Sequence, residues 1–330
     1  MNLMNNVESD EIAKLKDVAD EIKKSGKIAI FAHQNPDGDA YASSVGLGMA
    51  LRKNGYEVSF YLGSSKQDFS PIIGMHEAFE ENTSPIPEGT TALCVDCASR
   101  DYAANNEMFD KCERIIVVDH HATNTFYGDV NYVDSSAAAC AEISYFLIKA
   151  MGYEITEDIA YALYLGLVTD TGSFQYSNTT IRTHYVAGVL STIRRDFHKL
   201  HDELKYISMD TFLALSEAMN NTDFLFGGKL GIMSLTKEDE NYWNSHVDTD
   251  GFVDHVRDIY GIRLAVFTKE IEENVHKVSM RAMDEVMNVS DFAARQGGGG
   301  HPKAAGFTFN GDIEGLHMML AEYYEEEWTE

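Results

Sequence analysis

The chain has 330 residues, 44% of them apolar and 24% charged, which excludes a disordered or low-complexity protein and allows about two domains. Lys and Arg number 26 against 53 Asp and Glu, a formal charge of −27. That balance argues against a processive binder of long nucleic acid, which needs basic surface, but not against a small anion held by a few cations or metals. No apolar run approaches the roughly 18 residues that cross a bilayer. The N-terminal stretch lacks the basic and apolar regions of a signal peptide, so a cytoplasmic protein without a membrane partner is expected.

In chain order, Ile28–Ala32 reads as a strand ending in a polar loop, followed by a helix over Ala40–Lys53. Val58–Leu62, Thr91–Val95 and Ile115–Val118 read as further strands, and Ala137–Lys149 and Ile159–Val168 as helices, the latter with Thr156 as its N-cap. Short apolar strands alternating with helices predict an α/β fold: a parallel sheet with helices on both faces. From about Arg182 to Leu225 the pattern becomes helical and polar, as in a connector. Strands at Lys229–Leu235, Ile262–Thr268, Val275–Ala282 and Ala305–Phe309 follow, with helices at Asp250–Ile259, Ser290–Gln296 and Ile313–Glu326. The division expected is a catalytic domain over 1–185, a helical linker over 186–225 and a smaller α/β substrate-binding domain over 226–330.

Three strands of the first half end in residues suited to metals. After Ile28–Ala32 comes His33-Gln34-Asn35-Pro36-Asp37-Gly38-Asp39; after Thr91–Val95 comes Asp96; after Ile115–Val118 comes Asp119-His120-His121. A fourth acid, Asp170, stands where a helix runs into a Gly-containing turn. Ligands of open parallel sheets bind beyond the carboxyl ends of the strands, so these loops should converge. A lone Asp at a strand end is ordinarily a cap or turn residue; four such loops together form a metal site. Histidine with several carboxylates is a hard N/O donor set, suited to Mn²⁺ or Mg²⁺ above structural zinc. Two ions about 3.5–4 Å apart would relieve the crowded charge and clamp a phosphoryl group. Cys94 and Cys97 form a single C-x-x-C without a second pair, and free thiols are expected.

These motifs resemble those of the DHH phosphoesterases: H-Q-N-P-D-G-D-A at 33–40, D-C-A at 96–98, D-H-H at 119–121 and T-D-T-G-S-F at 169–174. G-G-G-G-H-P-K-A-A-G-F at 297–307 is similar to the hallmark of the DHH-associated C-terminal domain, so the resemblance spans nearly the whole chain. It implies that His33 and Asp37 hold one Mn²⁺ and Asp39 and His120 the other. Asp96 would bridge them and Asp170 complete the site, with Mg²⁺ or Co²⁺ as alternatives. Asp119 would orient a ligand imidazole, and His121 would face the scissile phosphate as donor or proton source. In the second domain, Ser279 and Arg281, two apart on a strand, point to one face. With Gly298, Gly299, Gly300 and His301 they would hold the substrate away from the metals. Arg100 is a further substrate candidate, weighed against a surface ion pair, and Tyr41 is expected to shape the substrate end of the cleft.

The subgroup most similar in length and tail trims short oligonucleotides to mononucleotides and removes the 3′-phosphate of 3′-phosphoadenosine-5′-phosphate (pAp). Long nucleic acid is not expected as a partner, and a homodimer is compatible with the resemblance. A phosphodiesterase of a cyclic dinucleotide such as c-di-AMP, or of its linear product, shares the same motifs. An inorganic pyrophosphatase of the family would lack the glycine-rich tail, and a sensor without turnover would be expected to have lost a ligand.

Overall fold

The structure is a computed structural model that describes all residues except 1, 64–68, 70–71, 73–81, 83, 237–246, 284–286 and 329–330, with the side chains of 2–6 and 327–328 also left out. The chain divides into two units, Met1–Lys205 and Tyr206–Glu330.

The first unit is built on a five-stranded sheet of β1 (Lys27–Phe31), β2 (Glu57–Tyr61), β3 (Thr90–Val95), β4 (Arg114–Asp119) and β5 (Val130–Val133). Its order is β2-β1-β3-β4-β5 and every pairing is parallel. Alternate residues of the central strands, among them Ile28, Ile30, Leu93, Val95, Ile116 and Val118, bury against the helices Gly38–Lys53, Cys140–Ala150 and Glu157–Asp170. The opposite face, with Ala29, Phe31, Cys94 and Val117, packs on Phe109 and Ala103 from two short 3₁₀ segments, Asn106–Lys111 and the turn after Arg100–Tyr102. Burial on both faces explains why these strands are continuous apolar runs. The strand order reverses beside β1, so the carboxyl ends of β1 and β3 flank the crevice where ligands of such sheets bind.

Several elements lie outside the expected set. The helices Asn2–Lys14 and Lys16–Ile22 precede the sheet, and β5 adds an edge strand whose residues are only half-buried. In the second unit β6 (Thr222–Leu225) is a strand rather than connector.

The second unit carries a six-stranded sheet. Besides β6 it contains β7 (Leu230–Leu235), β8 (Leu264–Glu272), β9 (Val275–Ala282), β10 (Gly299–His301) and β11 (Ala304–Asn310), in the order β10-β11-β9-β8-β7-β6. Only β7 and β8 run parallel. One face packs on the helices Val289–Arg295 and Ile313–Trp328, the other on Met209–Asn220 and Phe252–Arg257.

Residues 186–225 are divided between the units rather than forming a separate connector. Val186, Ala187, Leu190, Phe197 and Leu200 belong to the first core, and Ala214, Leu215 and Ala218 to the second. The polar surface of these helices hides apolar residues at helical spacing, which is an amphipathic face docked on a core.

Candidate active site

Each candidate ligand of the first unit is placed by a backbone feature at the carboxyl edge of the sheet. Past β1, His33 forms an isolated bridge with Ala103 and stacks on Tyr102 with ring centroids 5.5 Å apart. Asp37 is the N-cap of the helix Gly38–Lys53, and its Oδ1 accepts from the Asp39 and Ala40 N–H groups at 3.0 Å each. Its other oxygen is not engaged in the cap.

Asp39, in the first turn of that helix, is buried and reaches a different helix. Its carboxylate accepts from Cys140 N at 2.5 Å and Ala141 N at 2.9 Å. The N-cap of Cys140–Ala150 is Ala139, which has no side chain to cap with, so Asp39 performs the capping from outside. Each carboxylate oxygen retains a second lone pair.

Asp96 ends β3 with φ +55°, a left-handed conformation that Asp tolerates better than most residues, and its N–H donates to Val118 O at 3.0 Å. The turn aims its buried carboxylate at the histidines of the neighbouring strand: Oδ1 lies 3.3 Å from His120 Nε2 and 3.5 Å from His121 Nδ1. Asp170 is the last residue of Glu157–Asp170, which is closed by left-handed residues at Gly172, Ser173 and Phe174; its Oδ2 lies 3.6 Å from His120 Nε2.

The two histidines after β4 are oriented differently. His120 Nδ1 lies 3.2 Å from the Ala137 carbonyl, which turns Nε2 toward Asp96 and Asp170. His121 Nδ1 donates to Asp119 Oδ1 at 2.8 Å, so its Nε2 is uncommitted and the ring is 42% exposed. Asp119, fully buried, also accepts from His120 N at 2.8 Å and from Asn124 Nδ2 at 2.6 Å. Burial opposes its charge, but the His121 and Asn124 bonds outweigh that and hold its carboxyl below the ordinary range. Asp119 therefore orients the His121 imidazole, while a backbone carbonyl orients that of His120.

Among the described residues, His33, Asp37 and Asp96 bring donor atoms within 4.8 Å of one another, as do Asp39, His120 and Asp170, and as do Asp96, His120 and His121. The electrostatics say what such a cluster needs. Burial, with Asp96 and Asp170 adding repulsion, pushes Asp39 well above the carboxylate range. Burial, with Asp96 and Asp37, raises Asp170 to about 7. Burial opposes charge on His120 too, yet Asp96 above all pulls it up to about 11. Without added cations the cluster must bind protons. Two buried atoms, His33 Nδ1 and Asp96 Oδ1, make no hydrogen bond in the protein, a cost of about 1–3 kcal/mol each that a coordinated cation removes. The donors are imidazole and carboxylate alone. Cys97, next to Asp96, stays a thiol: burial raises it to about 11 and its Sγ donates to Ser99 O at 3.2 Å. All four cysteines are free, as expected. This donor set fits hard divalent cations.

Two glycines make room for the cluster. A Cβ at Gly38 would come within 2.4 Å of the Thr169 side chain, and one at Gly166 within 2.5 Å of Asp39 Oδ1. Asn124, the Ala137 carbonyl, Tyr102 and Gly166 were not singled out from sequence; each acts on a residue distant in the chain, and none carries a local pattern. Tyr41 is core rather than cleft: it is 1% exposed and its hydroxyl donates to Gly63 O at 2.7 Å. Arg100 lies in the surface ion pair weighed against a substrate role, 2.6 Å from Asp110.

In the second unit the pairing register places the remaining candidates in two rows. His301, Ala304 and Arg281 stand opposite one another across β10, β11 and β9, and Gly299, Gly306 and Ser279 form the row two positions along, on the same face. Directly opposed residues share a face. A Cβ at Gly298 would come within 2.1 Å of Gly306 O and one at Gly300 within 2.4 Å of Ala304 O, whereas Gly299 has open space. The glycines therefore make β10 a strand rather than a loop. Arg281 is half-buried, its Nε 3.4 Å from Asp254 Oδ1.

Residues 27–167 match the model of the DHH family N-terminal domain, and residues 235–326 match the DHHA1 domain. The bifunctional oligoribonuclease and PAP phosphatase NrnA of Thermus thermophilus is 33% identical over 96% of this chain and 95% of its own. The protein of the same name from Bacillus subtilis is 27% identical over 84% of this chain and 88% of its own. Among solved structures, an exopolyphosphatase-related protein from Bacteroides fragilis superposes with a TM-score of 0.85 at 22% identity, covering 95% of this chain and 96% of that one. The chain belongs to the DHH family of phosphoesterases. It is a hydrolase of phosphoric esters, with the family's DHHA1 domain at its C-terminal end.

Proposed function

We propose that this enzyme uses a pair of Mn²⁺ ions to hydrolyse short oligonucleotides to mononucleotides and to convert pAp to AMP. The observation that carries the reading is the convergence of six N/O donors into two groups, His33, Asp37 and Asp96 and Asp39, His120 and Asp170, joined where Asp96 Oδ1 lies 3.3 Å from His120 Nε2, beside a histidine with an uncommitted ring nitrogen. The substrates follow from the relatives, two of which are named for both activities.

In this reading His33, Asp37 and Asp96 hold one ion and Asp39, Asp96, His120 and Asp170 the other. Divalent ions held there would neutralise phosphoryl charge and acidify water. Asp119 fixes the His121 tautomer with hydrogen on Nδ1 and stabilises the ring's charged form. The carboxylate therefore supports a His121 that carries a proton on Nε2 and delivers it to the departing oxygen. The rise in the His121 pKa has Asp119 as its first cause. Arg281, Ser279, His301 and the glycines of β10 act as substrate contacts of the second unit, Arg281 through paired bonds to phosphate and Gly299 through its open backbone. Arg100 is left out of this assignment because of its pair with Asp110.

The test is product analysis after incubating the enzyme and Mn²⁺ with a labelled RNA ladder of two to five nucleotides, pAp and a cyclic dinucleotide. Mononucleotides from the ladder and phosphate from pAp are expected. Cleavage of the cyclic compound alone would overturn the reading in favour of a cyclic-dinucleotide phosphodiesterase, and no product from any of the three would overturn it outright.

A further inference from the structure

We infer that Arg182 is a positioning residue of the metal site, holding from behind the segment 134–142 through which two of its ligands are oriented; the inference rests on the metal reading above. Arg182 is the second residue of the helix Ile181–Ile193, and its side chain is 12% exposed. Its Nε bonds to Glu142 Oε1, its Nη1 lies 2.7 Å from Asp134 Oδ2 and 3.1 Å from Glu11 Oε2. One guanidinium therefore serves three carboxylates, of which Glu142 is fully buried.

Both ends of this clamp lead to ligands. Asp134 begins the loop whose Ala137 carbonyl faces His120 Nδ1, and Ala137 N in turn bonds Asp134 O at 3.0 Å. Glu142 lies in the first turn of the helix whose Cys140 and Ala141 N–H groups hold Asp39. Asn178 closes the same segment from the other side, donating to Ala138 O at 3.1 Å and to Asp170 O at 3.0 Å. Removing the guanidinium leaves Glu142 and Asp134 at low exposure without the cation that pairs them, while Glu11 keeps Lys14 at 2.7 Å. The segment must then move to rehydrate them, taking the Ala137 carbonyl and the two capping N–H groups with it. Partners that orient a metal ligand commonly change metal affinity by about 10–100-fold when lost. Lysine cannot replace the planar fork that reaches several acceptors at once, so it should restore only part of the effect.

The experiment measures Mn²⁺ binding to the full-length, metal-free protein by calorimetry for Arg182→Ala and Arg182→Lys. Arg194→Ala serves as the control: Arg194 binds Asp196 at 2.6 Å and lies over the Tyr161 ring at 3.7 Å in the same unit, with no bond to the segment 134–142 among the described contacts. The expected result is a Kd for Mn²⁺ raised at least about tenfold in Arg182→Ala, raised less in Arg182→Lys, and unchanged in Arg194→Ala. A folded Arg182→Ala protein with the original Mn²⁺ affinity would overturn the inference, as would an equal loss in Arg194→Ala. If Arg182→Ala does not fold, Arg182→Lys decides by the same criterion. Failure of the unsubstituted protein to bind Mn²⁺ would instead overturn the metal reading itself.

Discussion

Asp96 and His121 stand 3.5 Å apart, yet the site gives them different work. Asp96 faces both groups of donors from a left-handed turn, while His121 turns one nitrogen to Asp119 and leaves the other open. Asp96→Ala is expected to abolish Mn²⁺ binding at both positions. His121→Ala should keep its Mn²⁺ and lower kcat by about 10²–10⁴-fold, and metal analysis beside steady-state kinetics checks both. A His121→Ala protein that loses its metal would contradict the division of roles. The convergence of the candidate ligands was legible in the sequence because their loops follow apolar runs, where sheet topology alone predicts it. Their supports were not. Arg182 read as the start of a polar connector, because the carboxylates that surround it come from residues 11, 134 and 142. The resemblance implies that Asp119 orients an imidazole, and the structure pairs it with His121 at 2.8 Å.

At the scale of elements, the close approach of Gly38–Lys53 to Glu157–Asp170 sets the spacing of Asp39 and Asp170. Small residues permit it: a Cβ at Gly46 would meet Leu163 at 2.8 Å, and one at Gly166 would meet Asp39 Oδ1 at 2.5 Å and Ala141 Cβ at 2.6 Å. Gly166→Ala should therefore destabilise the first unit by about 1–3 kcal/mol as an overpacked core position and weaken Mn²⁺ binding by displacing Asp39. Denaturant unfolding and a Mn²⁺ titration measure the two effects, and a variant with wild-type stability would contradict the packing argument. The strands β1 to β4 were readable because burial on both faces leaves uninterrupted apolar runs. β5 was not, since an edge strand with Asn131 at its centre is only half-buried. β10 reads as punctuation in sequence because it is Gly-Gly-His; the glycines instead let its backbone lie against β11.

Over the whole molecule, the formal charge of −27 has a local meaning in the first unit, where carboxylates crowd one edge of a sheet and, with burial, raise the proton affinity of Asp39 and Asp170. Among the described residues no helix is long and apolar enough to cross a membrane. The two units have separate cores, and the boundary between them falls at 205/206, inside the stretch that composition marks as a connector. Composition could not place that boundary, since the helices on either side of it are amphipathic and their polar faces dominate the average. These observations support the proposal that the first unit holds two cations sharing Asp96. Anomalous diffraction from crystals grown with Mn²⁺ tests it most directly. Two peaks about 3.5–4 Å apart are expected, one among His33, Asp37 and Asp96 and the other among Asp39, Asp96, His120 and Asp170. A single peak, or none at these residues in crystals soaked to saturation, would contradict it.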